Sequence, residues 1–195
     1  MKQELRLELH RQLLHALLGS FFIAVLLLFG EWNVFYAATA LLVLSGIASS
    51  SLSDGNKIPV VSKLVSIAER FGEKKRSGVA LSLYCAGVMI VSGLSDLFPD
   101  KPVLLAALIV LAYGDSVATL AGKAIGKTKI LGNRTLEGTV TGIVVSFVLL
   151  VLALNPLMWW KALPIAIVGM LAEYLPIDDN ISVPLVSALV AALVL

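Results

Sequence analysis

A chain of 195 residues in which 58% of side chains are hydrophobic and only 14% charged has too little polar surface for an ordinary soluble enzyme. The composition therefore points to an all-α integral membrane protein. A formal net charge of +2 gives no reason to expect nucleic acid as a partner. The single cysteine, Cys85, excludes an intrachain disulfide and a cysteine metal centre.

A membrane helix needs about 17–25 apolar residues. Apolar runs of roughly that kind lie near 13–29, 33–50, 79–96, 102–119, 138–154, 160–176 and 181–195, which predicts about seven transmembrane helices in one multi-pass domain spanning 1–195. Ahead of the first run, residues 1–12 put Leu5 and Leu9 on one helical face with charges elsewhere, the pattern of an interfacial helix leading into a span. The first run lacks a small-residue cleavage site and is expected to stay in the mature protein. Glu8, Arg11 and His15 share a face of that helix, and two readings are open. They could form intrahelical ion pairs with a boundary histidine, or Arg11 and His15 could point into a site.

The 51–78 segment breaks at Pro59, continues with Val60, Leu64, Ile67 and Phe71 on one side, and ends in Lys74-Lys75-Arg76. It reads as a cytoplasmic loop with an amphipathic helix among anionic headgroups or in contact with substrate. Asp96 to Pro102 and Asn155-Pro156 mark external turns. Of the fifteen Lys and Arg residues, only Lys101 and Lys161 fall on the side opposite the N-terminus and the 51–78 and 119–137 segments. The positive-inside rule then places the N-terminus and both basic loops in the cytoplasm and, with seven spans, the C-terminus outside.

The densest chemistry lies between Tyr113 and Gly138. Gly114, Ala118, Gly122 and Gly126 recur every four residues and make a small-residue stripe that lets a neighbouring backbone approach. Asp115, Thr119 and Lys123 form a polar stripe beside it. Residues 119–137 read as a catalytic cytoplasmic loop carrying Lys127, Lys129 and Arg134. Thr135-Leu136-Glu137-Gly138 would then open the next helix with free N–H groups toward the loop. Ala121 to Thr128 fits a relaxed Walker A pattern, but that motif needs a strand before it and a helix after it. Here a membrane helix precedes it and the following residues read as a turn.

Near the C-terminus, Glu173 sits in an apolar run, and Asp178, Asp179 and Asn180 follow. Capping the last helix needs one of these, not three. An ionisable group at membrane depth is costly unless paired or wet. Carboxylates Asp115, Glu137, Asp178 and Asp179, gathered at the cytoplasmic ends of membrane helices, would need a cation, and oxygen ligands suit Mg²⁺. Lys123, Lys127 and Arg134 on the same face suit a polyphosphate. Together they describe nucleotide-dependent phosphoryl transfer to a lipid hydroxyl.

These motifs resemble a known family. Gly114-Asp115, Ala118, Gly122, Gly126-Lys127 and Arg134-Thr135-Leu136-Glu137-Gly138-Thr139 look like the signature of the dolichol kinase, phytol kinase and CTP-dependent diacylglycerol kinase group, distantly related to the CDP-diacylglycerol synthases. Glu8, Arg11 and His15 are similar to that group's N-terminal element, and Glu173 to Pro184 to its acidic C-terminal one, with Gln12 where the group usually carries Lys. The resemblance touches nearly the whole chain. It implies a multi-pass enzyme that moves the γ-phosphate of CTP to a long-chain isoprenoid alcohol or diradylglycerol with Mg²⁺. Asp115, Glu137 and Asp179 would be catalytic, with Asp178 joining them on the metal. Lys123, Lys127, Arg134, Thr135, Gly122, Gly126, Gly138 and Asn180 would meet the nucleotide, with Glu173, His15 and Arg11 as further candidates.

Two other functions fit part of the pattern. A CTP:lipid-phosphate cytidylyltransferase would carry a longer array of basic and acidic residues than this chain has. A small cation-coupled transporter would spread polar residues through the bilayer midplane, whereas here they cluster at one face.

Overall fold

The computed structural model describes residues 2–53, 79–97, 101–154 and 156–195. Among them the chain is all-α apart from one small hairpin. The helices are α1 (Lys2–Phe29), α2 (Glu31–Ser53), α3 (Val79–Gly93), α4 (Lys101–Ile125), α5 (Leu136–Ala153), α6 (Trp159–Leu171) and α7 (Asp179–Val194). Strands β1 (Lys129–Leu131) and β2 (Arg134–Thr135) pair antiparallel between α4 and α5. Each of the seven apolar runs falls on a helix of its own. Four of these helices, α1, α2, α4 and α5, are long and apolar enough to cross a membrane, while α3 and α7 are apolar but shorter. Beyond Ser53, the 51–78 segment lies outside the described residues.

Residues 1–12 were expected to lead into a span, and α1 runs unbroken from Lys2 to Phe29. It stops at Gly30, whose φ of +91° only glycine adopts cheaply. The Gly30 N–H donates to the Leu26 carbonyl at 3.0 Å, closing the last turn. Glu31 then opens α2 immediately, its carboxylate in the first turn, where the helix dipole favours it.

The bundle is built around α4. Some 72% of its most apolar window is buried, against 17–28% for the other three long helices. It packs against α1, α5 and α7, while α2 lies on α3 and α6 bridges α5 and α7. Leu108 and Leu111 of α4 join Phe22, Leu26, Tyr84 and Met170 in the core. The outer helices show apolar faces. On α5, Val140, Val144, Val148 and Leu152 form one exposed row, the surface that a bilayer would cover.

The small-residue stripe is where α4 meets α5. A Cβ added at Gly138 would come within 2.6 Å of the Ala118 carbonyl oxygen. One at Gly142 would sit 2.8 Å from the Ala118 Cβ and 2.9 Å from the Gly114 oxygen. Two backbones therefore touch along this line, the packing that lipid-embedded helices use in place of the hydrophobic effect.

Candidate functional site

One cavity lies beside this crossing. Its polar wall comprises Asp115, Thr119 and Lys123 from α4, Arg134 from β2, Glu173 from the 3₁₀ turn Ala172–Tyr174, and Asp179 from α7. Asn133 and Thr139 complete it, and Gly122, Thr135 and Gly138 lie along its floor. All three members of the polar stripe thus face the cavity. Segments far apart in sequence supply the rest.

Asp115 owes its position to a local irregularity. Residues Val110–Asp115 form a π turn inside α4, which widens the backbone ring and loosens the regular ladder. Two carbonyls along this turn also accept from side chains. His15 Nε2 donates to Leu111 at 3.2 Å and Ser116 Oγ donates to Ala112 at 2.7 Å. A carbonyl only accepts, so Nε2 carries the proton and the tautomer is fixed. Asp115, at the end of the turn, is 8% exposed. Its Oδ2 lies 3.6 Å from His15 Nε2.

The N-terminal helix docks along this wall. Lys123 Nζ donates to Glu8 Oε2 at 2.5 Å, Gln12 Nε2 donates to Glu8 Oε1 at 2.9 Å, and Arg11 pairs with Glu8 as well. Of the two sequence readings of this face, the intrahelical ion pair is present, whereas neither Arg11 nor His15 lines the cavity. Arg11 makes the intrahelical pair, and His15 reaches Asp115. The His15 ring also stands edge-on to Tyr84, 4.4 Å between centroids.

On the opposite wall, Arg134 pairs with Asp179, and its guanidinium lies 5.8 Å from the centre of the Tyr174 ring. Thr139 Oγ1 donates to Glu173 Oε1 at 2.5 Å and lies 2.6 Å from the Tyr174 hydroxyl. Glu173 is thereby held in place although it is 5% exposed, as a buried carboxyl requires. Thr135 is the N-cap of α5 and accepts from the Gly138 N–H at 3.3 Å.

Several expected site residues stand elsewhere. Glu137 does not line the cavity: its carboxylate accepts from the backbone N–H groups of Lys127 and Thr128 at 3.0 and 3.1 Å. The helix start that was expected to offer free N–H groups is largely occupied, because the Leu136 N–H donates to the Thr128 carbonyl and Gly138 to Thr135. Asp178 is the N-cap of α7, accepting from the Asn180 N–H at 3.0 Å and from its Nδ2 at 2.8 Å. This places Asp178 and Asn180 in a capping role beside Asp179. The Lys127 side chain is exposed and off the cavity wall, and Gly126 sits against Thr135 rather than on the wall. The 119–137 loop is also shorter than expected. Helix α4 runs to Ile125, and a hairpin stands where a turn was read. Helix before and strand after is the reverse of a P-loop.

Among the described residues no three His, Cys, Asp or Glu side chains converge as a ready metal cage. Asp115, Glu173 and Asp179 nevertheless bring hard oxygen donors to one cavity. Mg²⁺ is commonly held by one or two carboxylates, with water and substrate phosphates completing its shell. The donor set therefore fits a cation that arrives with a polyphosphate.

Four contributors were given no site role by the sequence reading, although Glu8 and Thr139 stand in its motifs. Glu8 as the partner of Lys123, 115 residues away, carries no pairing signal in a single sequence. Asn133 is hidden in a turn. Thr139 and Tyr174 could have been found as polar residues at the edges of apolar runs, next to Thr135 and Glu173 in helical or sequence spacing.

No family model matches the chain, and no solved structure matches it. It is similar to an uncharacterized protein of Methanocaldococcus jannaschii, 27% identical over 187 residues, which cover 94% of this chain and 92% of that protein. The likeness is end to end.

Proposed function

We propose that this protein is a multi-pass membrane lipid kinase. It transfers the γ-phosphate of a nucleoside triphosphate, CTP by the resemblance of its motifs, to the hydroxyl of a long-chain isoprenoid alcohol or a diradylglycerol. The observation that carries this reading is a single cavity in which carboxylates Asp115, Glu173 and Asp179 face cations Lys123 and Arg134, beside helices apolar enough to sit in lipid. Lys123 and Arg134 would hold the phosphates, and Asp115 would take the proton of the attacking hydroxyl. Mg²⁺ bound at Asp115 or Asp179 would neutralise charge on the transferred group. The topology in this reading is seven spans with the N-terminus, the hairpin and the cavity on the cytoplasmic side.

The test is purified protein with Mg²⁺, mixed lipid alcohols and CTP labelled on either the γ- or the α-phosphate. The expected outcome is γ-label on lipid, reduced by about 10²–10⁴ in Asp115→Asn, the range for loss of a positioned acid–base group. Transfer of α-label to an added lipid phosphate would replace this reading with a cytidylyltransferase. No transfer of either label to any alcohol or phosphate would overturn both.

A further inference from the structure

The outer side of the β-hairpin has no part in the cavity. Lys127, Lys129, Ile130 and Leu131 are all exposed, Ile130 and Leu131 by 51% and 56%. Two adjacent strand residues normally face opposite ways. Here Lys129 pairs with Thr135 and Leu131 with Arg134, so Ile130 is an extra, bulged residue, and a bulge breaks the alternation and re-aims side chains. Gly132, at φ +59°, turns the chain directly after them.

The hairpin is also held firmly at its base. Glu137 ties down the N–H groups of Lys127 and Thr128, and Leu136 bonds back to Thr128. It joins two helices long and apolar enough to cross a membrane, and their adjoining ends, Ile125 and Leu136, are exposed as well, by 59% and 47%. Exposed apolar side chains thus stand at the end of one candidate span, on the hairpin and at the start of the next. Two lysines, Lys127 and Lys129, precede the apolar pair. An occupant that offers shallow apolar depth with negative charge above it, at the end of a membrane helix, is an anionic lipid leaflet.

We infer that the hairpin tip is an interfacial anchor. Ile130 and Leu131 seat at the headgroup–acyl boundary, and Lys127 and Lys129 bind the phosphates of anionic headgroups. This rests on the membrane part of the reading above and not on its catalytic part.

The experiment uses the full chain carrying Leu131→Cys, labelled with an environment-sensitive fluorophore and placed in nanodiscs containing brominated anionic or brominated zwitterionic lipid. Wild-type protein, whose Cys85 is buried, sets the labelling background, and Ile130→Cys repeats the measurement one residue away. The expected result is blue-shifted emission, shielding from aqueous iodide, and stronger quenching by the brominated anionic lipid. That preference should fall by up to about fivefold for each of Lys127→Gln and Lys129→Gln, the scale of one basic residue at an anionic surface. Free access of iodide without lipid quenching would overturn the inference. Shielding that grows with the number of protein copies per disc would assign the tip to a second copy and overturn it equally. No enzymatic activity enters the readout, so failure of the kinase reading and failure of the anchor are separately visible.

Discussion

Glu137 and Arg134 lie three residues apart, yet the structure gives them different work. The Glu137 carboxylate gathers backbone N–H groups of the loop, so in the proposed kinase Glu137→Gln is expected to loosen the hairpin while leaving the Mg²⁺ concentration dependence of turnover unchanged. A shift of that dependence, measured by titrating Mg²⁺ at saturating nucleotide, would make Glu137 a metal ligand after all. Arg134 faces the cavity, paired with Asp179 and close to Tyr174. Its planar fork can hold a carboxylate or phosphate through two parallel bonds, which a lysine cannot. Under the proposed kinase reading, Arg134→Lys should therefore raise the KM for nucleotide about tenfold, roughly one charge-assisted hydrogen bond, with a smaller change in kcat. Nucleotide saturation curves of the two proteins decide it.

At the scale of elements, the contact of α4 with α5 is the most demanding feature. Gly138 and Gly142 lie against backbone and Cβ atoms of Gly114 and Ala118, leaving no room for a larger side chain. Gly142→Leu should lower stability by about 1–3 kcal/mol, the usual cost of overpacking. Val140→Leu, on the exposed face of the same helix, should change it little. Thermal unfolding in detergent separates the two. This contact was legible in sequence because a four-residue repeat of small side chains has one physical use in an apolar helix. The helices were legible for a similar reason, since each carries an apolar run, long in α1, α2, α4 and α5 and shorter in the others. The hairpin was not, because Lys129 to Thr135 is too short and polar to show a strand period. Its pairing depends on the two helices that hold its ends together. Asp178 and Glu137 were misplaced because a carboxylate that caps a backbone and one that binds a cation look alike in a sequence.

Across the whole molecule, α4 is both the core of the bundle and the main wall of the cavity. Its buried face carries Leu108 and Leu111, and a turn later Asp115 opens onto the site. Other helices bring groups to it or to its wall: α5 and α7 line it with Thr139 and Asp179, and α1 backs the wall with His15 against Asp115 and Glu8 against Lys123. That convergence of long-range partners is the part of the site that no single stretch could announce. Lys123 and Asp115 were found from their spacing on one helix, whereas their partners Glu8 and His15 lie over 90 residues away and needed the fold.

The π turn at Val110–Asp115 has a consequence for how the chain tolerates length change. A regular helix turns about 100° per residue, and the π turn accommodates one residue more than the ladder would otherwise hold. Removing a single residue, Val110 for example, would leave a helix as apolar and nearly as long as before, and a hydropathy plot would barely register the loss. Either every side chain on one side of the deletion swings by about that angle, or the turn regularises and absorbs it at the expense of Asp115's aim. The deletion is expected to preserve helix content by circular dichroism and, if the proposed kinase activity holds, to abolish it. Point substitution of the same buried valine by alanine keeps the residue count, so it should lower stability through the cavity it leaves while sparing the aim of Asp115.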